Sequence, residues 1–241
     1  MKILLIGRGK MGRLLEETAR AGGDETAAAF DRSNLAELAE TGRIADMVLD
    51  FSRPETLEDV CAYVRRTGTP LLSGTTGYSD AQLAQLLALG GQVPVLWSAN
   101  FSLGIAVFNR LLSQISDTLR PTFDVEITET HHSQKADAPS GTARLLLEAI
   151  DPRHELTPVY GREGNCGCRG KNEVGIHSLR GGTVAGTHTV SFFGPDEELE
   201  ITHRAASRQI FVNGALHAAH LLAQKPAGAY TLQQLLFGGP F

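Results

Sequence analysis

Lys2-Ile3-Leu4-Leu5-Ile6-Gly7-Arg8-Gly9-Lys10-Met11-Gly12 opens the chain, and its reading decides the fold. The apolar run from Ile3 suits a strand buried on both faces of a parallel sheet. Leu14, Leu15 and Ala19 follow at helical spacing. The glycines therefore form G-x-G-x-x-G between a strand and a helix, the context in which that pattern holds a dinucleotide. Gly7 permits the tight turn, Gly9 lets the backbone approach a pyrophosphate, and Gly12 lets helix and strand pack closely. Arg8 and Lys10 either add positive charge to this loop or point to solvent, and Met11 completes it. Asp31 ends a second apolar strand, Ala27 to Phe30, where an acid bonds the adenosine ribose hydroxyls. Arg32 adjoins it, and a guanidinium there clamps a 2′-phosphate. NADH and NADPH are both expected as cofactors.

Short strands and helices alternate from here to about residue 100, which predicts a parallel sheet. Met47 to Phe51 reads as a third strand. Ser52-Arg53-Pro54-Glu55 reads as a capping box that opens a helix running to about Thr67. Pro70 to Ser73 makes a fourth strand, ending in Gly74-Thr75-Thr76-Gly77. Ser79-Asp80-Ala81-Gln82 caps another helix, and Val93 to Trp97 forms a fifth strand. Ligands of open parallel sheets bind beyond the carboxyl ends of the strands. That rule nominates Gly74, Thr75 and Thr76, and Ser98, Ala99, Asn100 and Phe101, beside the first glycine loop. Asn100 suits a nicotinamide carboxamide or a turn; Phe101 suits a ring contact or the core.

Past Phe101 the texture changes. Gly104 to Leu119 is a helix with Ile105, Phe108, Leu111, Leu112 and Ile115 on one side. Strand-like alternation follows at Val125 and Ile127, from Val184 to Phe193, and at Leu199 and Ile201. Residues 157 to 174, with Gly161, Gly164, Gly167 and Gly170, read as a long loop. Ser207 begins a closing helix carrying Val212, Leu216, Ala219 and Leu222. The expected class is α/β: a Rossmann-type parallel-sheet dinucleotide domain, residues 1–101 plus about 208–241, with an α+β substrate-binding domain at 102–207. The open sheet of the latter would leave a face or edge for a homo-oligomer to cover.

The chemistry is concentrated in Glu129-Thr130-His131-His132-Ser133-Gln134-Lys135-Ala136-Asp137-Ala138-Pro139-Ser140-Gly141-Thr142. A free imidazole titrates near ~6.5, so a histidine beside an ammonium can hold an anion and deliver a proton at neutral pH. Ser140, Gly141 and Thr142 lead into the apolar run Ala143 to Ile150, so they form the first turn of a helix. Backbone N–H groups at such a turn bind carboxylates or phosphates. The plainer reading is that adjacent histidines point to opposite faces of a strand, one being ordinary surface or core, and that Pro-Ser-Gly-Thr merely starts a helix.

Composition narrows the classes. The chain has 241 residues, 42% hydrophobic and 20% charged, which rules out a disordered or fibrous chain. A formal net charge of -5 argues against general nucleic-acid binding. The N-terminus reads as a strand rather than a signal peptide, and no apolar run reaches bilayer length, so a cytoplasmic protein with no membrane partner is expected. Cys61, Cys166 and Cys168 are too few and too far from histidines for a disulfide framework or a zinc site. Adjacent histidines rarely face one ion, so no metal is expected.

Taken together, Gly9-Lys10-Met11-Gly12, Asp50-Phe51-Ser52-x-Pro54-Glu55, Gly74-Thr75-Thr76-Gly77, Ala99-Asn100-Phe101-Ser102 and the histidine run resemble the 4-hydroxy-tetrahydrodipicolinate reductase family. Arg162-Glu163-Gly164, Gly186-Thr187-His188 and Leu199 to His203 extend the resemblance along the chain. It implies NADH- or NADPH-dependent reduction of a small cyclic dicarboxylate imine on the route to diaminopimelate and lysine, by a homotetramer. It also implies roles: His131 as principal proton donor, Lys135 as a second, and His132, Ser140, Gly141 and Thr142 at the substrate carboxylates. Gly7 to Gly12, Asp31, Arg32, Gly74 to Thr76 and Ser98 to Phe101 would hold the cofactor. Another imino- or amino-acid dehydrogenase, or a protein that only senses NAD(P)H, is the competing reading; a proton donor at His131 speaks against the sensor.

Overall fold

The structure, a computed structural model, describes residues 1–238 and divides into two compact units. The first comprises Met1–Ser102 and the chain from Gln209 onward; the second is Leu103–Arg208.

In the first unit β1 (Lys2–Ile6), α1 (Lys10–Ala21), β2 (Glu25–Phe30), β3 (Met47–Asp50), α2 (Leu57–Thr67), β4 (Leu71–Ser73), α3 (Asp80–Leu87) and β5 (Pro94–Trp97) follow one another. The strands pair in parallel, and Ile3 to Ile6 and Met47 to Asp50 are buried without alternation. That is the pattern of a sheet covered on both faces. Ser79 caps α3 as expected, its side chain accepting from Gln82 N while Gln82 reaches back to the cap backbone. The capping box expected at 52–55 does not form. Pro54–Thr56 is a 3-10 turn, and the Ser52 hydroxyl donates to the buried Asp50 carboxylate instead. A carboxylate with no solvent attracts that donor more strongly than a helix end open to water.

The second unit holds α4 (Leu103–Leu119), β6 (Asp124–His131), α5 (Gly141–Ile150), β7 (Thr157–Val159), β8 (Glu173–Arg180), β9 (Gly186–Gly194) and β10 (Glu197–Ala205). Their sheet runs β10-β9-β6-β8-β7, with β6 antiparallel to β9 and parallel to β8. Val125, Ile127, Val174, Ile176, Val190 and Phe192 turn one face to α4 and α5, where Ile105, Phe108, Leu112, Leu146 and Ile150 close the core. Full burial of such side chains contributes roughly 1.5–3 kcal/mol each. Leu111 corrects the expected α4 face: it is 41% exposed, as are Leu103 and Val107 to similar degree. Those three recur every fourth residue on the outer line of the helix, while 105, 108 and 112 define the inner one. The 157–174 segment also needs correction, since it begins with β7, a three-residue strand pairing β8 in parallel.

The chain then returns to the first unit as α6 (Gln209–Leu222), β11 (Gly228–Tyr230) and α7 (Leu232–Phe237). Gln209 Nε2 donates to Thr18 Oγ1 at 2.9 Å, and His220 Nε2 meets Asp24 Oδ2 at 2.9 Å, so α6 lies against α1. β11 joins β5 in parallel and completes a six-stranded sheet of order β11-β5-β4-β3-β1-β2.

Candidate active site

In the first unit, a cleft of about 650 Å³ lies beyond the carboxyl ends of β1 and β2. Gly7, Arg8, Gly9, Asp31, Arg32, Phe51 and Arg53 are among its lining residues. The glycines fit a dinucleotide on their own geometry. Gly7 has φ +97°, and a Cβ there would stand 2.4 Å from Phe51 O. A Cβ on Gly9 would meet nothing within 4 Å, so that backbone lies open to an approaching phosphate. At Gly12 a Cβ would fall 1.8 Å from Gly7 O. Gly12→Ala is therefore expected to cost about 3 kcal/mol, the upper end for overpacking, because the obstacle is backbone. Chemical denaturation of the variant checks this; an unchanged midpoint would mean that loop and helix separate freely.

The remaining cofactor candidates lie outside that lining. Lys10, Met11 and Gly12 form the first turn of α1. Gly74, Thr75 and Thr76 follow β4, and Ser98 to Phe101 follow β5. Thr75 is 2% exposed, its hydroxyl donating to Asp50 Oδ2 at 2.9 Å. Phe101 is equally buried and packs on Phe51 with ring centroids 5.8 Å apart. Asn100 Oδ1 accepts from Ser102 N at 2.8 Å, and Ser98 Oγ bonds Asn100 O and N. These loops thus use side chains to hold themselves and present backbone. Their anchor is Asp50, fully buried, which gathers Ser52, Ser73, Thr75 and Tyr78 hydroxyls around one carboxylate.

In the second unit the histidine run lies where β6 ends and α5 begins. His131 Nδ1 is 2.6 Å from Glu129 Oε2. Glu129 stands two residues earlier on the same strand face and is fully buried. Arg180 grips both its oxygens at 2.8 Å, and Ser140 N donates to Oε1 at 3.0 Å. Burial pushes the Glu129 carboxyl up, but the bonds from Arg180, His131, Ser178 and the Ser140 amide outweigh it and hold it down at about 2. Glu129 is therefore an anion at neutral pH and accepts a hydrogen bond from the Nδ1–H of His131, leaving Nε2 as the exchangeable position. A Cβ on Gly186 would stand 3.1 Å from that Nε2, so glycine keeps the space before it open.

Lys135 follows in a turn closed by its N–H on His132 O at 3.1 Å, and its Nζ donates to Asp137 Oδ1 at 2.8 Å. Ser140 caps α5 through Ala143 N and shares a 2.9 Å bond with His188 Nε2. Ser140 is 2% exposed, so its side chain positions the helix end, while Gly141 and Thr142 form the first turn beyond it. His188 lies edge-on to His131 with centroids 5.1 Å apart. Desolvation first, then the neighbouring His131, depresses the His188 imidazole to about 4.

That depression links stability to pH. Below about 6.5 the unfolded chain takes up a proton that the buried ring refuses, so stability is complete above this pH and falls as pH drops towards 4. The loss is on the order of 3 kcal/mol. Glu129 acts lower, its contribution being lost from about 4.5 down to 2. Denaturation curves at pH 7 and pH 5 for the parent and His188→Gln test this: the parent should lose stability between them, and the variant distinctly less.

Glu129, Arg180, Gly186 and His188 were not named as site residues from the sequence. Glu129 carried a readable signal, its place two residues before His131 on a strand. Arg180 and His188 are brought in by register alone, opposite His131 on β8 and Glu129 on β9.

A parallel-sheet dinucleotide cleft, with a carboxylate-oriented histidine elsewhere in the chain, is the equipment of an NAD(P)-dependent oxidoreductase, and this protein is of that class. Within it, the chain belongs to the dihydrodipicolinate reductase family: residues 1–101 match the model of that family's N-terminus and residues 104–236 that of its C-terminus. A 4-hydroxy-tetrahydrodipicolinate reductase of an Exiguobacterium species is 42% identical over 98% of this chain and 95% of its own. One from Clostridium tetani is 41% identical over 98% and 97%. Among solved structures, a dipicolinate-bound dihydrodipicolinate reductase from Paenisporosarcina sp. TG-14 superposes with a TM-score of 0.79, at 23% identity, over 98% of this chain and 99% of that one. It shares the fold.

Proposed function

We propose that this protein reduces 4-hydroxy-tetrahydrodipicolinate to tetrahydrodipicolinate, with loss of water, in diaminopimelate and lysine synthesis. The observation that carries the reading is the His131–Glu129–Arg180 arrangement beside the N-terminus of α5. It supplies an oriented proton donor next to an anion-binding helix end. Gly7, Arg8, Gly9, Lys10, Met11, Gly12, Asp31, Arg32, Gly74, Thr75, Thr76, Ser98, Ala99, Asn100 and Phe101 hold the cofactor. When bound, the reduced dinucleotide supplies the hydride.

His131 releases its Nε2 proton to the enamine that reduction generates, while Glu129 stabilises the ring in its charged form. Lys135 adds positive charge to the anionic substrate or relays a proton, turning from Asp137 to do so. His132, Gly141 and Thr142 hold the two carboxylates, and Ser140 fixes the turn that presents them. Such positioning contributes several kcal/mol of the barrier reduction. The polar face of the second sheet, with Thr128 opposite Thr189 and Thr189 bonded to Thr202 at 2.9 Å, is the surface on which four copies assemble. No helix among the described residues is long and apolar enough to cross a membrane, and a cytoplasmic site fits the cofactor pool this reaction draws on.

Pyridine-2,6-dicarboxylate is a stable, planar stand-in for the substrate. It should compete with substrate in the parent, and Lys135→Ala should weaken it about tenfold or more, as expected for loss of a charged contact. Inhibition constants from initial rates check this; a parent indifferent to the dicarboxylate would overturn the substrate assignment.

A further inference from the structure

A fully buried negative charge stands at the end of β3, and the chemistry of His131 makes no use of it. Asp50 pairs with Ile6 on β1 and Ser73 on β4, so it lies level with the residues that lead into the Gly7 and Gly74 turns. Its carboxylate accepts from five donors: the Ser52 amide and the hydroxyls of Ser52, Ser73, Thr75 and Tyr78. Those donors are neutral, so they leave the charge itself in place. Burial foremost, and the Asp50 charge after it, push the Tyr78 phenol above its ordinary range and keep it a donor. Arg53, the cation nearest in sequence, is exposed, where solvent screens it. A buried anion without a counter-ion is costly, and hydrogen bonds offset only part of that cost unless an opposite charge is brought to it.

The order of the sheet says what approaches this charge. Neighbouring strands run β2-β1-β3-β4-β5. With the adenosine at Asp31 beyond β2 and the pyrophosphate at Gly9 beyond β1, a dinucleotide laid across these ends continues over β3 and β4. Its nicotinamide end therefore reaches the loops that Asp50 holds. We propose that the Asp50 charge, covered from solvent, stabilises the positive ring of the oxidised nicotinamide and so favours departure of the hydride. The inference rests on the cofactor site of the reductase reading above and adds a group to it. A dihydronicotinamide ring is neutral, and it becomes a pyridinium cation when one hydrogen leaves with both bonding electrons for the substrate. An anion already fixed in a low-dielectric setting acts on that developing charge without reorganising. Asp50 acts through the protein rather than by contact, since Phe51 and Ser52 line the cleft in its place.

The test compares the affinities of the full chain for oxidised and reduced dinucleotide, NADP+ against NADPH and NAD+ against NADH, by calorimetry without substrate. Asp50→Asn removes the charge and keeps the shape; Tyr78→Phe removes one bond and keeps the charge. Asp50→Asn should shift the ratio against the oxidised form by about fivefold or more, as expected for one charge acting through protein. Tyr78→Phe should leave the ratio as in the parent, even where it weakens both forms. An unchanged ratio in Asp50→Asn, or an equal shift in Tyr78→Phe, would overturn the proposal and leave Asp50 a tie between loops, with the reductase reading standing. If Asp50→Asn does not fold, the parent decides alone: NAD+ should bind about fivefold or more tightly than ADP-ribose, which lacks the ring. Equal affinity for the two would overturn the proposal. Failure to bind any dinucleotide would overturn the cofactor site as well.

Discussion

His131→Gln is expected to lower turnover by about 10²-fold or more, the usual size of acid catalysis, with cofactor affinity kept. Glutamine matches the ring in length and still bonds Glu129, so the buried carboxylate keeps a partner and the fold should survive. What is lost is a group that holds and releases a proton at the position facing Gly186. The residues proposed to hold the cofactor belong to the first unit and His131 to the second, so cofactor affinity and turnover are read as separate effects. Steady-state rates with cofactor titrations on the same preparations measure this. A variant that turned over like the parent would mean that another group supplies the proton.

Glu129→Gln should be more damaging still. The carboxylate is fully buried and answers Arg180 twice, His131 once and the Ser140 amide once. An amide has one acceptor oxygen, and its NH2 group would be set against a guanidinium donor. Breaking a buried pair by neutralising one partner costs about 3–5 kcal/mol. Loss of the anion also frees His131 to adopt the other tautomer, and about 10²-fold or more of turnover should go with it. Two readouts divide structure from chemistry: denaturation midpoint for the first, and the pH profile of kcat in the surviving folded protein for the second. Glu129→Asp should recover part of the profile by restoring the charge. If Glu129→Gln retained both stability and parental kcat, the carboxylate would be neither the anchor nor the orienting group.

The legible part of this protein is the part whose meaning is local. Gly7 to Gly12 could be read because turn, close approach and helix packing are each set by residues within one short stretch, and Ser79 and Ser140 announced their helices for the same reason. The histidine run was visible because His131, Lys135 and the α5 cap are contiguous. The places of Arg180 and His188 at the site were not, since only the pairing of β6 with β8 and β9 brings them beside Glu129. Ser52 misled because its sequence context fits a cap, whereas the competing acceptor, Asp50, becomes decisive only once buried. β7 and β11 are three residues each, too short for alternation to show, and β8 does not stand out beside the glycine-rich loop that precedes it. Leu111 reads as inward-facing and is exposed, because its hydrophobicity says nothing of which side of α4 meets the sheet.

The central claim is the reaction itself, and the most direct test is optical. Purified protein would be mixed with NADPH, and separately NADH, while the upstream synthase makes substrate in situ from pyruvate and aspartate semialdehyde. Loss of nicotinamide absorbance that requires both this protein and the synthase product is the predicted result. Protein that binds the cofactors yet oxidises neither in the presence of that product would contradict the account.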